Sequence, residues 1–224
     1  MREIRFLDVY KRLFNHFGPR HWWPAETAFE VIVGAILTQQ VAWRNVETAI
    51  ANLKRRNVFD PVSLLAVPDE ELWELIRPTR FFRQKAARLK DLCRVVMEGF
   101  DGDLSAFLAQ EPNALRTRLL AIRGIGKETA DSIVLYAAKQ PVFVIDSYTH
   151  RIFSRLGLTT GSESYDALQE QFVKNLPRDV GLFNEYHALI VALGHHICLN
   201  RNPDCARCPL NELCRHGLSN PDAD

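Results

Sequence analysis

Apolar side chains recur along most of this chain every three or four residues, which is the period of an α-helix. The pattern begins with Ile4, Phe6, Leu7, Tyr10, Leu13, Phe14 and Phe17. It predicts further helices over 26–37, 43–55, 82–98, 111–121, 127–138, 146–156, 162–175 and 181–195. Two shorter helices are predicted to start at Asp60-Pro61 and Pro68-Asp69, because proline and aspartate suit a first turn. No stretch alternates as a strand does, and 142–145 is predicted to be an extended connection, so the sequence predicts an all-α protein.

The composition is that of a folded globular protein. The 224 residues are 47% hydrophobic and 25% charged, which suffices for one compact domain or two small ones. No apolar run approaches the ~18 residues of a membrane span, and charges in every turn of the first segment argue against a secretory signal. We therefore expect a soluble cytoplasmic protein that makes no membrane contact and has no disulfides.

Charge is distributed unevenly, although the net charge is only +1. The segment 77–90 contains six basic residues and no acidic one. A solvated helix face and a surface that follows DNA phosphates both fit this pattern. On the second interpretation, Arg83 and Lys85 are candidate DNA-binding residues.

Four of the five cysteines fall in one short tract with the spacing C-x6-C-x2-C-x5-C: Cys198, Cys205, Cys208 and Cys214. Four thiolates in a cytoplasmic tract predict a metal or cluster site. A structural zinc and an iron–sulfur cluster both use four cysteines, and the tightly nested spacing, unlike two C-x2-C knuckles, favours the cluster. Cys93 follows the apolar rhythm of a helix and is predicted to lie in the core.

A Gly-x-Gly sequence, Gly124-Ile125-Gly126, separates two amphipathic segments. Such a turn leaves amide N–H groups exposed at the start of a helix, where they bind phosphate oxygens; most Gly-x-Gly sequences are simply turns. Asp146 follows about twenty residues later, after an apolar run and before another predicted helix. It is either the N-cap of that helix, a functional carboxylate, or both.

Three segments together resemble the endonuclease III superfamily of helix-hairpin-helix glycosylases. They are LLAIRGIGKETADSIVLYA, VIDSYTHRIFSRLG and GAILTQQVAWRNVETAIANL, and the cysteine spacing is also that of the family. The resemblance implies two helical domains that flank a DNA-binding cleft. One is a continuous six-helix domain over 24–137 that contains the helix-hairpin-helix motif. The other joins 1–23 to 138–224 and holds a [4Fe–4S] cluster on the four cysteines.

The same resemblance implies roles for individual residues. Asp146 matches the catalytic aspartate, and the hairpin residues Gly124, Gly126 and Lys127 match the DNA-binding turn. The lyase members carry a lysine two residues after the second hairpin glycine, where this chain has Glu128. Schiff-base attack on the sugar requires an amine, so the sequence predicts a monofunctional enzyme that uses water.

Two further residues are assigned to the gap that base flipping leaves in the duplex. Gln40 matches the gap-filling glutamine of the family, and Phe81 matches an apolar wedge. The alternative for Phe81 is an aromatic residue at the edge of the core or exposed on a loop.

One subgroup is more similar still. The segment HWWPAETAFE resembles 3-methyladenine DNA glycosylase III, which implies a base pocket formed by Trp22, Trp23 and Trp43. An aromatic pocket would select an alkylated, cationic purine by stacking and cation–π attraction, although one of two adjacent tryptophans is commonly core. The four cysteines depart from some members of this subgroup, which leaves the substrate open.

The sequence thus predicts a monomeric, nucleoid-associated glycosylase that excises damaged bases from double-stranded DNA. Three alternatives remain. A bifunctional enzyme for oxidised pyrimidines is opposed by Glu128, and a catalytically silent DNA-binding module by Asp146. An electron carrier is opposed by cysteine spacing that differs from the C-x2-C-x2-C-x3-C run of bacterial ferredoxins.

Overall fold

The computed structural model describes residues 5–219, and this part of the chain is helical without a single strand. The chain folds as two compact units. The first comprises the residues up to Trp22 and those from Pro141 onwards, and the second is Trp23–Gln140. The predicted all-α fold is confirmed. The unit borders differ from those predicted at 23/24 and 137/138, because Trp23 and residues 138–140 pack with the second unit.

The second unit contains eight α-helices, rather than the six expected: α2 (Ala28–Leu37), α3 (Trp43–Arg55), α4 (Pro61–Ala66), α5 (Asp69–Ile76), α6 (Phe82–Phe100), α7 (Leu104–Leu108), α8 (Pro112–Leu120) and α9 (Lys127–Ser132). Helix α2 is apolar apart from Glu30, and its residues from Phe29 to Leu37 are buried. It contacts α3, α6 and α9 and is therefore the centre of this unit.

Local capping explains where several of these helices begin. Asp60 accepts from the backbone N–H groups of Val62 and Ser63 at 2.9 and 3.0 Å, and Pro61 occupies the first helical position of α4. Helix α9 continues directly into one π-helical stretch, Ile133–Ala137, all of whose residues are buried. Single π turns next to or inside α-helices are frequent at functional sites.

The first unit contains five α-helices among its described residues: α1 (Phe6–Phe17), α10 (Ser147–Leu156), α11 (Tyr165–Asn175), α12 (Val180–His196) and α13 (Arg215–Ser219). Its core is aromatic. The rings of Phe143 and Phe172 stack with centroids 4.0 Å apart, and Phe6 and Phe153 pack against Phe172 at 4.9 and 4.6 Å. The hydroxyl of Tyr186 donates to the carbonyl of Phe6 at 2.7 Å and so ties α12 to α1.

Most predicted helices lie within a few residues of the observed ones, and 142–145 lies in a connection outside any helix, as expected. The single-turn helices α7 and α13 were not predicted, since five residues carry too little periodicity. Within 5–219, no helix combines the length and the apolar character that crossing a membrane requires.

Candidate functional site

Asp146 lies at the end of the extended run that precedes α10. Two side chains of α11 hold this run in place. The hydroxyl of Tyr165 accepts from the backbone N–H of Ile145 at 3.3 Å, and the amide of Gln169 donates to the carbonyl of Phe143 at 2.7 Å. The position of Asp146 is thus set by side-chain-to-backbone hydrogen bonds on its N-terminal side and by a helix on its C-terminal side.

The carboxylate of Asp146 is also the N-cap of α10. Its Oδ1 accepts from the backbone N–H of Thr149 at 2.7 Å and from the Thr149 hydroxyl at 2.8 Å. Its Oδ2 lies 3.6 Å from Nε2 of His187, on α12. Both side chains are nearly buried, at 9% exposure each. The two interpretations of Asp146, cap and functional carboxylate, are therefore compatible, while His187 was not identified from the sequence.

Two opposing effects act on the ionisation of Asp146. Burial raises the pKa of its carboxyl group, but the electrostatic attraction of the nearby His187, together with the two hydrogen bonds from Thr149, lowers the pKa by more than burial raises it. The net pKa is below the ordinary value of 3.8. Asp146 is consequently a carboxylate at neutral pH, although it is shielded from solvent.

The four cysteines of the C-terminal tract line one cavity together with Arg155. The guanidinium of Arg155 lies 3.2 Å from Sγ of Cys198, and its carbonyl accepts from the thiol of Cys214 at 3.3 Å. Burial raises the pKa of the Cys208 thiol to about 11. A metal that binds here must displace the thiol protons, and the cation of Arg155 is suited to offset part of the resulting negative charge.

Within 5–219, no group of three or more His, Cys, Asp or Glu side chains is arranged to hold a metal ion. The preference for an iron–sulfur cluster over a single zinc ion therefore rests on the cysteine spacing in the sequence.

The Gly-x-Gly turn connects α8 to α9, and its two glycines differ in their surroundings. Gly124 has φ +86, and a Cβ there would collide with the guanidinium of Arg88. Gly126 has an ordinary φ of −90 and open space where a side chain would be. Gly124 is therefore required by the fold, whereas Gly126 leaves the start of α9 open to an approaching group.

Gln39 joins this turn to two other elements. Its Oε1 accepts from the guanidinium of Arg88, on α6. Its Nε2 donates to the hydroxyl of Thr129 at 2.8 Å and lies 3.5 Å from the carbonyl of Gly124. One side chain thus connects the loop after α2, helix α6 and the Gly-x-Gly turn. The sequence analysis missed it, because nothing in the local sequence distinguishes Gln39 from Gln40.

Gln40 and Phe81 border one cavity, whose other lining residues are Gln39, Gln84, Lys85 and Arg88. Both have left-handed backbone conformations, with φ +56 and +43. Such conformations are uncommon without glycine and cost about 1–2 kcal/mol each. Phe81 is 56% exposed. The structure thus holds an amide and an exposed aromatic ring at one rim, at a cost in backbone strain.

The structure corrects the assignment of Lys85 as a phosphate-binding residue. Its side chain is only 1% exposed, and Nζ donates to the carbonyls of Leu37 and Thr79 at 2.8 and 2.6 Å. Burial, with a smaller contribution from Arg88, lowers the pKa of Lys85 to about 8. Lys85 therefore satisfies the C-terminal end of α2 rather than facing a ligand.

The rest of the basic segment is not one cationic face either. Lys90 is buried and donates to the carbonyl of Val67 at 2.7 Å. Arg83 is exposed, with its guanidinium 4.8 Å from the centre of the Trp73 ring. Arg83 thus keeps its candidacy for DNA contact, whereas a continuous row of cations is absent from this segment.

Three aromatic rings pack together inside the second unit. Trp23 lies 5.5 Å from Trp43 and 5.3 Å from Tyr136, ring centre to ring centre. A Cβ on Gly34 would come within 3.1 Å of the Trp23 indole nitrogen, which is a tight contact. Trp23 and Trp43 are half-buried, and Tyr136, in the π-helical stretch, is fully buried. Tyr136 was not among the predicted pocket residues.

The remaining candidates are distributed between the two units. Trp22 is half-buried and belongs to the first unit. Lys127 and Glu128 occupy the first turn of α9, where both are exposed. The position that would carry the lyase lysine thus lies at the start of the helix that follows the Gly-x-Gly turn.

The model of the HhH-GPD superfamily of base excision DNA repair proteins matches residues 33–178, which include the hairpin, Asp146 and most of the second unit. The chain belongs to this family. A protein of Methanocaldococcus jannaschii with the provisional name of DNA repair glycosylase is 45% identical to this HhH-GPD protein, over 96% of the chain and 99% of the relative. The predicted membership of the endonuclease III superfamily is confirmed.

Two solved structures extend the similarity of this HhH-GPD protein to its whole fold. A non-covalent endonuclease III–DNA complex matches with a TM-score of 0.81 and 25% identity, covering 96% of this chain and 94% of the other. The 3-methyladenine DNA glycosylase of Helicobacter pylori, bound to 1,N6-ethenoadenine, matches with a TM-score of 0.74 and 28% identity, covering 84% and 96%.

Proposed function

We propose that this protein is a monofunctional DNA glycosylase that hydrolyses the N-glycosidic bond of an alkylated purine in double-stranded DNA. The observation that carries the proposal is the environment of Asp146. In this member of a base excision repair family, the Asp146 carboxylate is nearly buried and its pKa is below the ordinary value. Such a group is suited to stabilise positive charge on a sugar in a site from which water is largely excluded.

The reaction requires the break of one bond and the formation of another. The C1′–N bond breaks, its electron pair leaves with the base, and the sugar acquires oxocarbenium character. The carboxylate of Asp146 stabilises this cation and orients a water molecule, whose oxygen adds to C1′ and whose proton passes to the solvent. An alkylated purine already carries positive charge, so it departs neutral and needs no protonation by an acid.

The second unit supplies what DNA binding and base flipping need. The open start of α9 at Gly126 and Lys127 is suited to a phosphate oxygen. Extrusion of a base costs a few kcal/mol, and the exposed Gln40 and Phe81 are suited to fill the gap and offset that cost. We therefore propose that damaged double-stranded DNA is the partner, bound by one copy of the chain at the nucleoid.

Glu128 supports hydrolysis rather than lyase chemistry. A lyase forms a Schiff base between an amine and C1′, and the position that corresponds to the lyase lysine carries a carboxylate here. The second candidate, a bifunctional enzyme for oxidised pyrimidines, is favoured by the similarity to endonuclease III over nearly the whole chain. The two candidates differ in whether the DNA strand is cut without added alkali.

The aromatic rings of the second unit favour a cationic base. Trp43 and Trp23 are half-buried and packed edge to face, and stacking of a base on an aromatic ring contributes about 1–3 kcal/mol. The H. pylori relative is itself named for 3-methyladenine. We propose that Trp23 and Trp43 contact the flipped purine, while the pocket role of Trp22 stays a prediction of the sequence.

The four cysteines line one cavity beside Arg155, as described above, and their spacing in the sequence resembles that of the cluster-binding relatives. We propose that Cys198, Cys205, Cys208 and Cys214 ligate a [4Fe–4S] cluster. When bound, the cluster supplies iron–thiolate bonds that cross-link a tract with few buried apolar side chains of its own. No step of base excision is assigned to it.

A cleavage panel tests the proposal. Duplexes that carry an alkylated purine, an oxidised pyrimidine or no lesion are incubated with the protein, and the strands are resolved with and without alkali. The expected result is release of free alkylated purine and an abasic strand that breaks only after alkali. Efficient scission without alkali, or excision confined to oxidised pyrimidines, would instead support the bifunctional candidate.

A further inference from the structure

The two oxygens of the Asp146 carboxylate have different surroundings. Oδ1 takes both hydrogen bonds from Thr149, at 2.7 and 2.8 Å, and is committed to capping α10. Oδ2 receives neither of them and faces Nε2 of His187 at 3.6 Å. Any chemistry that needs a carboxylate oxygen of Asp146 therefore falls to Oδ2, and the group nearest to that oxygen on α12 is the His187 imidazole.

His187 is held toward Asp146 by the packing of its own helix. Helix α12 contacts both α10 and α1. His187 is only 7% exposed, so its imidazole has little freedom to turn toward solvent. The polar group that its Nε2 faces is the carboxylate of Asp146.

The distance of 3.6 Å between Nε2 and Oδ2 exceeds the 2.7–3.2 Å of an ordinary N–H···O hydrogen bond. The imidazole is thus close enough to orient the carboxylate and to favour its ionised form. It is too far away to occupy the lone pairs of Oδ2 completely. A water molecule or a developing cation at the sugar would still find an accepting oxygen.

We infer that His187 is a positioning residue for Asp146: it fixes the orientation of Oδ2 and keeps that oxygen available to the reacting sugar and water. The inference rests on the proposed catalytic role of Asp146. It assigns to α12 a part in the reaction that neither the hairpin nor the aspartate segment of the sequence indicates. His187 acts through Asp146, and no contact of its own with DNA is required.

The test compares His187→Gln with His187→Met. The two side chains have equal length, but only glutamine retains an N–H donor. Single-turnover excision from an alkylated-purine duplex and affinity for the same duplex are measured for both, alongside Asp146→Asn. Asparagine retains the capping oxygen and loses the charge. We expect His187→Met to slow excision at least tenfold while its affinity stays within twofold of the parent, and His187→Gln to recover most of the rate.

Tyr186→Phe is the matched control, because it removes the buried hydroxyl next to His187 that donates to Phe6. It should lower stability and leave the excision rate unchanged. An inactive Asp146→Asn beside a fully active His187→Met would overturn the inference alone. Equal slowing by Tyr186→Phe, or a His187→Gln variant that fails to fold, would assign His187 to the core and overturn it as well. Full activity of Asp146→Asn would instead remove the proposed catalytic role, and the inference with it.

Discussion

Nε2 of Gln39 donates a hydrogen bond to Oγ1 of Thr129 at 2.8 Å, across ninety positions of the chain. The same side chain accepts from Arg88, so it couples the loop that carries Gln40 to the turn before α9. A single amide therefore relates the residue proposed to fill the gap in DNA to the turn proposed to hold a phosphate.

Replacement of Gln39 by leucine should weaken both stability and DNA binding. It leaves the partly buried guanidinium of Arg88 and the Thr129 hydroxyl without this partner, which costs about 1–3 kcal/mol. We expect a lower urea midpoint and weaker affinity for lesion duplexes. Gln84→Leu is the control, since Gln84 borders the same cavity but is exposed on α6. Similar losses in both variants would refute a specific coupling through Gln39.

The two hairpin glycines should respond differently to alanine. Gly124→Ala forces a Cβ into a left-handed conformation and against Arg88, and we expect a loss of more than about 1 kcal/mol in the free energy of unfolding. Gly126→Ala should change stability by less than about 0.5 kcal/mol but weaken binding to any duplex, because the methyl group occupies the space that a phosphate would enter. Removal of the Arg88 side chain should relieve only the steric part of the Gly124→Ala loss. Equal destabilisation by the two alanine variants would contradict this difference.

Lys85→Met should destabilise the protein without changing the salt dependence of DNA binding. Lys85 is buried and bonds two carbonyls, so its loss leaves them unsatisfied. Arg83→Ala should do the opposite: stability stays nearly constant, and the slope of log affinity against log salt becomes shallower by about one unit. A shallower slope in Lys85→Met would restore Lys85 to the DNA-binding surface.

The pKa of Lys85 adds a pH dependence with a definite sign. Its pKa is about 8 in the folded protein and 10.5 ordinarily. Between these values the unfolded chain binds more protons than the folded one, so the contribution of Lys85 to stability increases as the pH rises. The difference in unfolding free energy between the parent and Lys85→Met should therefore widen from pH 8 to pH 10. A difference that is constant or narrows over this range would show that Lys85 is not desolvated.

The cysteine tract should contain iron. Protein prepared without oxygen should be brown and hold about four irons per chain, the content of a [4Fe–4S] cluster. Cys205→Ser should lose iron and expose the C-terminal tract to proteolysis, whereas Cys93→Ser, which alters a buried core thiol, should lower stability and retain the iron. Stoichiometric zinc without iron would show that the site is mononuclear.

Glu128→Lys tests the position that distinguishes hydrolysis from lyase chemistry. The family resemblance places the lyase lysine here, so an amine at this position should permit Schiff-base formation. We expect borohydride to trap a covalent protein–DNA complex with Glu128→Lys. We expect no such complex with the parent, in which Lys127 is the only lysine at the start of α9. Trapping by the parent protein would show that another amine already performs the attack.

The sequence was informative where a local pattern determines the structure. The 3.6-residue period predicts the bounds of α3 and α12 to within one residue. It does not predict α7, because a helix of one turn is too short to show a period. The burial of Lys85 could have been predicted from the sequence. Lys85 lies four residues before Leu89 and eight before Cys93, which places it on the buried face of α6. A count of basic residues ignores that face, whereas the helical period includes it.

Contacts between distant parts of the chain were not predictable in this way. His187 is 41 positions from Asp146 and lies in an apolar helix, where a histidine carries no local signal. The same applies to Gln39 and Thr129, and to Tyr136 beside Trp23. The helices determine which residues share a face, but only tertiary packing determines which faces meet.

Gln40 and Phe81 stand at one rim, and each has a left-handed backbone conformation. On the proposed function, the duplex deforms around this rim. Base steps that unstack easily would then be probed fastest, whatever their sequence. Recognition would depend first on how easily the DNA duplex deforms, and the chemistry of the base would matter only after the base had left the stack.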